Sequence, residues 1–283
     1  MTATVFLILG IVFLVVGADF LVRGASNLAA MVQISPLVIG LTVVAFGTSA
    51  PELAVSLHAT FNGQAPLAVG NVVGSNICNV LLILGASALV APLVVAQQLV
   101  RLDVPIMIGV SGLAFLFSLD GTIGTSDGII LFLGGMGYTL FLLYQSRQEK
   151  NPDVQDEYAQ EYGPREFAWS RVSVEVLAFL GGMAFLVIGS QLLVKGAVTI
   201  AEALEINPLI IGLTIVALGT SLPELATSIV ASFRGERDIA VGNVVGSNIF
   251  NILVVLGATS AVSPNGIVIE PSVLAFDLPV MIG

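Results

Sequence analysis

The segment that decides the fold occurs twice, as Gly47-Thr48-Ser49-Ala50-Pro51-Glu52 and, 172 residues later, as Gly219-Thr220-Ser221-Leu222-Pro223-Glu224. The similarity extends outward from both copies at the same spacing. Residues 35–56 match residues 207–228 at 16 of 22 positions, and residues 68–86 match residues 240–258 at 15 of 19 positions. Residues 17–25 match residues 189–197 more weakly. The second half of the chain is therefore a duplicate of the first.

The composition is that of a membrane protein. Of the 283 residues, 56% are hydrophobic and 10% are charged, whereas soluble domains have about 25% charged residues. This balance excludes a soluble enzyme and a nucleic-acid-binding protein. A single cysteine, Cys78, excludes an intramolecular disulfide, and a single histidine, His58, leaves no histidine cluster for zinc.

Apolar runs predict helices that cross the membrane, because a bilayer core requires about 20 apolar residues. The predicted spans are residues 5–24, 36–59, 69–91, 104–119, 127–145, 173–194, 208–231 and 241–262, with a ninth beginning near Leu274. Pro36 and Pro208 each follow a capping residue, which is typical of helix starts. We therefore predict an all-α, multi-spanning protein with a first transmembrane repeat at 1–145, a charged linker at 146–172 and a second repeat at 173–283.

The basic residues predict the orientation in the membrane. Eight of the nine Lys and Arg residues fall in loops on one side, and Lys195 alone falls on the other. By the positive-inside rule, the linker is cytoplasmic and the amino terminus lies outside. No basic residue precedes the first apolar run, so no cleavable signal peptide is visible. We expect an integral protein of a prokaryotic cytoplasmic membrane.

The number of spans predicts that the two repeats have opposite orientations. Five spans fit within one offset, and five is odd, so the copies enter the membrane from opposite sides. Inverted repeats are typical of secondary transporters, which bind substrate near the membrane midplane. Residues 103–109 match residues 277–283 at an offset of 174. We therefore expect ten helices in the functional protein, with part of the ninth and all of the tenth absent from this chain.

Each repeat places one glutamate, Glu52 or Glu224, in the middle third of a predicted span. An ionised carboxylate there costs at least about 2.5 kcal/mol. No Lys, Arg or His lies centrally in any predicted span, so a mobile cation or a proton must neutralise it. Pro51 removes a backbone donor and Gly47 weakens the same turn. We therefore expect carbonyls near Ala45 to leave the helical hydrogen-bond pattern.

Oxygen-bearing residues share one helical face with each glutamate. With spacing i, i+3, i+4 and i+7, they are Ala45, Thr48, Ser49 and Glu52 in the first repeat, and Ala217, Thr220, Ser221 and Glu224 in the second. The adjacent spans add two pairs spaced i, i+4, which are Ser75 with Asn79 and Ser247 with Asn251. Calcium prefers six to eight oxygen ligands, whereas soft metals prefer thiolate or imidazole. An all-oxygen set favours calcium or sodium.

The repeated segments, together with Gly-Asn-x-x-Gly-Ser-Asn-x-x-Asn at 70–79 and 242–251, resemble the alpha repeats of the calcium/cation antiporter superfamily, which includes the sodium/calcium exchangers. The resemblance covers essentially the whole chain. It implies ten helices in two inverted halves, with four cation sites in a midplane diamond formed by the second, third, seventh and eighth helices. By motif position, it implies that the twelve residues named above are the ligands. Potassium-dependent relatives tend to have aspartate at both positions where this chain has Asn79 and Asn251, which argues against potassium dependence.

We therefore predict a secondary active antiporter, not an enzyme, that exchanges calcium for sodium by alternating access. Its expected partners are calcium ions, sodium ions and the lipid bilayer; we expect no tightly bound cofactor and a functional monomer. In one alternative, the same glutamates carry protons in proton/calcium exchange. A cation channel is a second alternative, but channels typically form carboxylate rings by oligomerisation. An intramembrane hydrolase would need a Ser/His pair or paired aspartates at the midplane, and the sequence offers neither.

Overall fold

Helices make up most of the chain that the computed structural model describes, which is residues 2–32, 34–93, 95–148, 169–206, 215 and 217–283. The first half contains α1 (Thr2–Val32), α2 (Pro36–Thr48), α3 (Ala50–Phe61), α4 (Pro66–Val90), α5 (Leu99–Phe117) and α6 (Thr125–Gln148). The second half contains α7 (Trp169–Ala203), α8 (Ala217–Thr220), α9 (Leu222–Phe233), α10 (Arg237–Val262) and α11 (Val273–Ile282). Two short strands, β1 (Thr122–Ile123) and β2 (Ile267–Val268), pair antiparallel.

Six described helices are long and apolar enough to cross a membrane: α1, α4, α5, α6, α7 and α10. A seventh span results when α2 and α3, which are bent by 42° at their junction, are taken together. The helix α11 begins where the sequence predicts the ninth span. The start of the predicted span 208–231 and residues 149–168 of the predicted linker lie outside the described residues. The prediction of an all-α, multi-spanning membrane protein is confirmed.

Local sequence signals explain where some of these helices begin and end. Ser35 caps α2 as predicted, because its hydroxyl accepts a hydrogen bond from the Val38 N–H at 3.1 Å. The helices α1 and α7 have 31 and 35 residues, so both are longer than the spans predicted at 5–24 and 173–194. A bilayer core accommodates only about 20 residues of straight helix, so the ends of these two helices extend beyond it.

Glycines bring α1 and α7 into backbone contact. They recur every seven residues, as Gly10, Gly17 and Gly24 in α1 and as their repeat equivalents Gly182, Gly189 and Gly196 in α7. A Cβ atom at Gly17 would lie 2.8 Å from the Gly182 carbonyl oxygen, and one at Gly24 would lie 2.9 Å from the Glu175 carbonyl oxygen. Later residues of α1 thus meet earlier residues of α7, so the two helices are antiparallel. Equivalent helices that run in opposite directions are what an inverted repeat requires.

Equivalent residues of the two repeats differ in burial. Ile239, at the start of α10, is fully buried, whereas its equivalent Leu67, at the start of α4, is 60% exposed. Val22 of α1 is fully buried and belongs to the same apolar cluster as Ile239, whereas its equivalent Val194 is only partly buried. The contact between α1 and the second repeat is therefore closed at one end of the molecule, and the equivalent contact is more open.

An ion pair reinforces the closed contact. Asp19 of α1 pairs with Arg234, the residue that follows α9, and with Arg23 at 3.1 Å. In the other repeat, the positions equivalent to Asp19 and Arg234 hold Gln191 and Asn62, which are neutral. The duplicated positions therefore cannot form the same ion pair.

Candidate cation site

The helix break in each repeat falls at a serine. Ser49 (φ −87°, ψ 5°) separates α2 from α3, and Ser221 (φ −87°, ψ 3°) separates α8 from α9. Pro51 has no N–H, so the carbonyl of Gly47, four residues earlier, lacks its usual helical donor. The sequence predicts that carbonyls near Ala45 leave the helical pattern, but the Ala45 carbonyl itself stays in it, since it accepts a hydrogen bond from the Ser49 N–H at 3.0 Å. A carbonyl oxygen has two lone pairs, so it can still accept a second interaction.

The breaks create helix N-termini at the two acidic residues. Glu52 lies in the first turn of α3 and Glu224 in the first turn of α9. A helix N-terminus carries partial positive charge, which stabilises a nearby carboxylate. Both side chains are fully buried or nearly so. The broken helices therefore offset part of the cost of burying two acids, which a continuous helix would not do.

Each carboxylate is bound by a serine of the other repeat. Ser49 donates its hydroxyl to Glu224 Oε1 at 2.8 Å, and Ser221 donates to Glu52 Oε1 at 3.4 Å. The second oxygen of each carboxylate, Oε2, is buried and has no hydrogen-bond partner. Among the described residues, both ion pairs involve Asp19, so neither glutamate is paired with a basic side chain. Two acids thus face the interior with one oxygen each left to bind something else.

Asparagines of α4 and α10 form a second symmetric arrangement. Asn79 donates to Asn248 Oδ1 at 2.9 Å, and Asn251 donates to Asn76 Oδ1 at 3.0 Å. The Oδ1 atoms of Asn79 and Asn251 are buried without a partner. Both residues begin π-helical segments, Asn79–Leu84 and Asn251–Leu256, and π-bulges within α-helices are frequent at functional sites.

Serine and threonine hydroxyls connect these groups across the repeats. Ser221 donates to Ser75 Oγ at 3.2 Å, and Thr48 Oγ1 lies 3.5 Å from Ser247 Oγ. The structure thus brings the sequence-predicted side chains of one repeat into contact with the other repeat, with two exceptions. Ala45 is buried and is linked to the group by its 3.4 Å contact with the Thr48 hydroxyl. Ala217 is described only as the first residue of α8.

Sequence reasoning missed several residues that hold this arrangement together. They are the four asparagines Asn71, Asn76, Asn243 and Asn248, which all hydrogen-bond to the other repeat. Their identity at both copies of the Gly-Asn-x-x-Gly-Ser-Asn segment is the signal that could have identified them. It also missed the contacts of Asp103, the residue that precedes the predicted span 104–119. Asp103 is fully buried within α5 and accepts a hydrogen bond from the Tyr138 hydroxyl at 2.9 Å.

Comparisons with known proteins identify the family to which this chain belongs. The family model described as "Sodium/calcium exchanger protein" matches residues 2–146 and 174–283. The chain belongs to the sodium/calcium exchanger family. It is 44% identical to "Putative antiporter CaxA" of Alkalimonas amylolytica, over 93% of this chain and 82% of that protein. It is 33% identical to "Sodium/calcium exchanger MaX1" of Methanosarcina acetivorans, over 98% of this chain and 87% of that protein.

The fold comparison leads to the same family. The solved sodium-calcium exchanger NCX_Mj superposes with a TM-score of 0.83 at 30% sequence identity, over 99% of this chain and 88% of that one. The family relationship and the helical membrane fold together indicate a cation antiporter.

Proposed function

We propose that this chain exchanges calcium for sodium across the membrane at one site that faces the two sides in turn. The observation that carries the proposal is a group of four buried oxygens without hydrogen-bond partners, two from each repeat: Glu52 Oε2, Asn79 Oδ1, Glu224 Oε2 and Asn251 Oδ1. A buried acceptor is costly when nothing binds it. Hard cations such as calcium coordinate carboxylate and amide oxygens of this kind.

The proposed ligands are the residues that the sequence predicts, six from each repeat: Ala45, Thr48, Ser49, Glu52, Ser75, Asn79, Ala217, Thr220, Ser221, Glu224, Ser247 and Asn251. The alanines would contribute backbone carbonyls, and the serines and threonines would contribute hydroxyl or carbonyl oxygens. Several of these hydroxyls donate their hydrogen to a neighbour, as Ser49 does to Glu224, which leaves oxygen lone pairs for a cation. The set offers enough oxygens for the six to eight that calcium prefers.

Charge couples the two substrates. Two carboxylates neutralise one calcium ion, and because Asn79 and Asn251 are neutral, the calcium-loaded site has no net charge. Three sodium ions at the same ligands would leave it at +1. Calcium and the full sodium load cannot occupy shared ligands together, since the summed charge would be heavily penalised in a buried site. Mutually exclusive occupancy turns a downhill flow of one ion into an uphill flow of the other.

Sodium is proposed as the counter-ion because amide oxygens accompany the unpartnered carboxylate oxygens. In proton/calcium exchange, only Glu52 and Glu224 could carry the protons, and Asn79 Oδ1 and Asn251 Oδ1 would bind an ion in the calcium-loaded state alone. In sodium/calcium exchange, the same amide oxygens can bind an ion in both states. The similarity to proteins named sodium/calcium exchangers supports the same choice. Proton/calcium exchange at the same glutamates is the alternative that experiment must separate.

We also propose the surroundings in which the exchanger works. The uneven distribution of basic residues favours a cytoplasmic linker and an external amino terminus in a prokaryotic cytoplasmic membrane. Both repeats of a single chain contribute to the candidate site, as the contact of Ser49 with Glu224 illustrates. A monomer would therefore be sufficient for function.

Calcium uptake into proteoliposomes tests the proposal. Purified protein is reconstituted, and uptake of ⁴⁵Ca²⁺ is measured under an outward sodium gradient, under a pH gradient without sodium, and without a gradient. We expect uptake to require the sodium gradient, with membrane potential clamped by potassium and valinomycin in all three conditions. Uptake driven by the pH gradient alone would show that protons, and not sodium ions, are the counter-ion. Calcium entry that needs no gradient of either ion would indicate a channel.

A further inference from the structure

Asn243 joins the helix break of its own repeat to a threonine of the other repeat. Its Nδ2 group donates to the Ser228 hydroxyl at 3.0 Å and to the Glu224 carbonyl at 3.4 Å. Its Oδ1 atom accepts the Thr48 hydroxyl at 3.0 Å. All four residues are buried, so these bonds do not compete with bulk water.

Asn71 makes the three equivalent bonds, with the roles of the two repeats exchanged. Its Nδ2 group donates to the Ser56 hydroxyl at 3.0 Å and to the Glu52 carbonyl at 3.2 Å. Its Oδ1 atom accepts the Thr220 hydroxyl at 3.4 Å. Each asparagine is thus anchored through its amide nitrogen at the helix that carries one glutamate, and its oxygen points to the threonine of the opposite repeat.

This anchoring fixes the direction of the threonine hydroxyl. Two donor bonds hold the amide nitrogen, so the oxygen is the atom presented to the threonine, and an amide oxygen can only accept. Thr48 has one hydroxyl hydrogen, and two other possible acceptors lie farther away: the Ala45 carbonyl at 3.4 Å and the Ser247 hydroxyl at 3.5 Å. Asn243 Oδ1, at 3.0 Å, is nearer than either. Donation to Asn243 leaves both the threonine oxygen and the second lone pair of the Ala45 carbonyl available.

We propose that Asn71 and Asn243 are positioning residues that orient the hydroxyl hydrogens of Thr220 and Thr48 away from the transported cation. The threonine oxygens then face the ion as acceptors only. The inference rests on the proposed function, because it assigns a role within the same cation site. It adds two residues that act through the ligands without themselves binding the ion.

A double-mutant cycle on calcium affinity tests this pairing. The variants are Thr48→Val, which removes the hydroxyl at nearly constant volume, Asn243→Ala, and the two combined. Each single variant should raise the KM for calcium in sodium-driven uptake, and the double variant should raise it no further. The expected coupling is on the order of tenfold, since residues in direct hydrogen-bond contact are strongly non-additive. Thr48→Ser, which keeps the hydroxyl, should restore a KM near that of the wild type.

The duplication supplies a matched control. Thr48→Val combined with Asn71→Ala pairs residues between which no hydrogen bond is formed in the described structure, so their effects on KM should multiply. Ser228→Ala removes another bond of Asn243 and should leave the KM for calcium unchanged. Melting temperatures of the purified variants separate folding from binding, and Asn243→Ser replaces Asn243→Ala if the alanine variant unfolds in the assay.

The outcomes separate the two proposals. The positioning role would be refuted if the effects of Thr48→Val and Asn243→Ala on KM multiplied, or if Thr48→Val and Asn71→Ala showed equal coupling. Sodium-driven calcium uptake by the wild type would still support the proposed function in either case. A KM shift in Ser228→Ala as large as that in Asn243→Ala would assign Asn243 a packing role instead. Absence of sodium-driven calcium uptake in the wild type would instead refute the proposed function.

Discussion

Replacement of Glu52 by glutamine should abolish calcium exchange, and the size of the effect follows from its burial. Glutamine keeps an oxygen that can accept the Ser221 hydroxyl, and it has nearly the same volume, but it removes one of two negative charges. At an effective dielectric constant of about 20, unit charges about 4 Å apart interact by about 4 kcal/mol, so a divalent ion loses about 8 kcal/mol. Part of this loss is offset because the free site no longer buries two like charges.

Even half of that energy would remove calcium exchange from the measurable range. A loss of about 4 kcal/mol corresponds to roughly a thousandfold weaker calcium binding, because 1.4 kcal/mol is a factor of ten. A monovalent ion loses half as much as calcium, so the variant should shift in selectivity towards sodium. Uptake of ⁴⁵Ca²⁺ by proteoliposomes across a wide calcium range gives the KM of the wild type and shows whether the variant retains any exchange.

The equivalent substitution and a distant one serve as controls. Glu224→Gln should behave like Glu52→Gln, because the two residues have matching contacts. Glu270→Gln removes the same charge from an exposed position and should leave the KM unchanged. A wild-type KM in Glu52→Gln would refute the electrostatic reasoning and remove the glutamates from the proposed site.

Three further predictions follow from the packing, the orientation and the site. Gly189→Val should destabilise the contact between α1 and α7 by roughly 1–3 kcal/mol, because its Cβ would lie 2.8 Å from facing backbone; an unchanged melting temperature would contradict this. A cysteine at Gln64, on a cysteine-free background, should react with an impermeant reagent in intact cells, and one at Gln155 should not; labelling at 155 would reverse the orientation. Asn251→Asp should exchange calcium in acid and lose activity as pH rises, because only the protonated carboxyl keeps the donor bond that Asn251 makes at 3.0 Å. A flat pH profile would exclude this explanation.

The repeat and the two buried acids could be predicted from the sequence because they leave one-dimensional signals. Runs of apolar residues indicate segments that lie in a membrane. Residues that are identical in the two copies at a fixed offset indicate positions with the same structural role. An acid such as Glu52 within an apolar run stands out against that background without any knowledge of its neighbours. Its burial was therefore within reach of sequence reasoning.

Contacts that depend on how helices cross were not predictable in this way. Asn71 and Thr220 are 149 positions apart, and nothing local to either residue indicates the other. Carbonyls near Ala45 were expected to leave the helical pattern, but the Ala45 carbonyl keeps its donor, and the carbonyl that Pro51 deprives of a donor is that of Gly47. The Tyr138 hydroxyl donates a hydrogen bond to Asp103, 35 positions away, and nothing local to either residue indicates this contact.

The unequal burial of Ile239 and Leu67 means that the folded chain is less symmetric than its sequence. If each residue took the environment of its equivalent in the other repeat, a second arrangement would result. In that arrangement, Leu67 would be buried and Ile239 would be exposed. Both are aliphatic side chains of similar size, so each would suit the environment of the other. Asp19 and Arg234 have only neutral counterparts, so an ion pair would be lost in that exchange with nothing to replace it. The two arrangements would then differ in energy, and the chain would rest in the one that this ion pair holds closed.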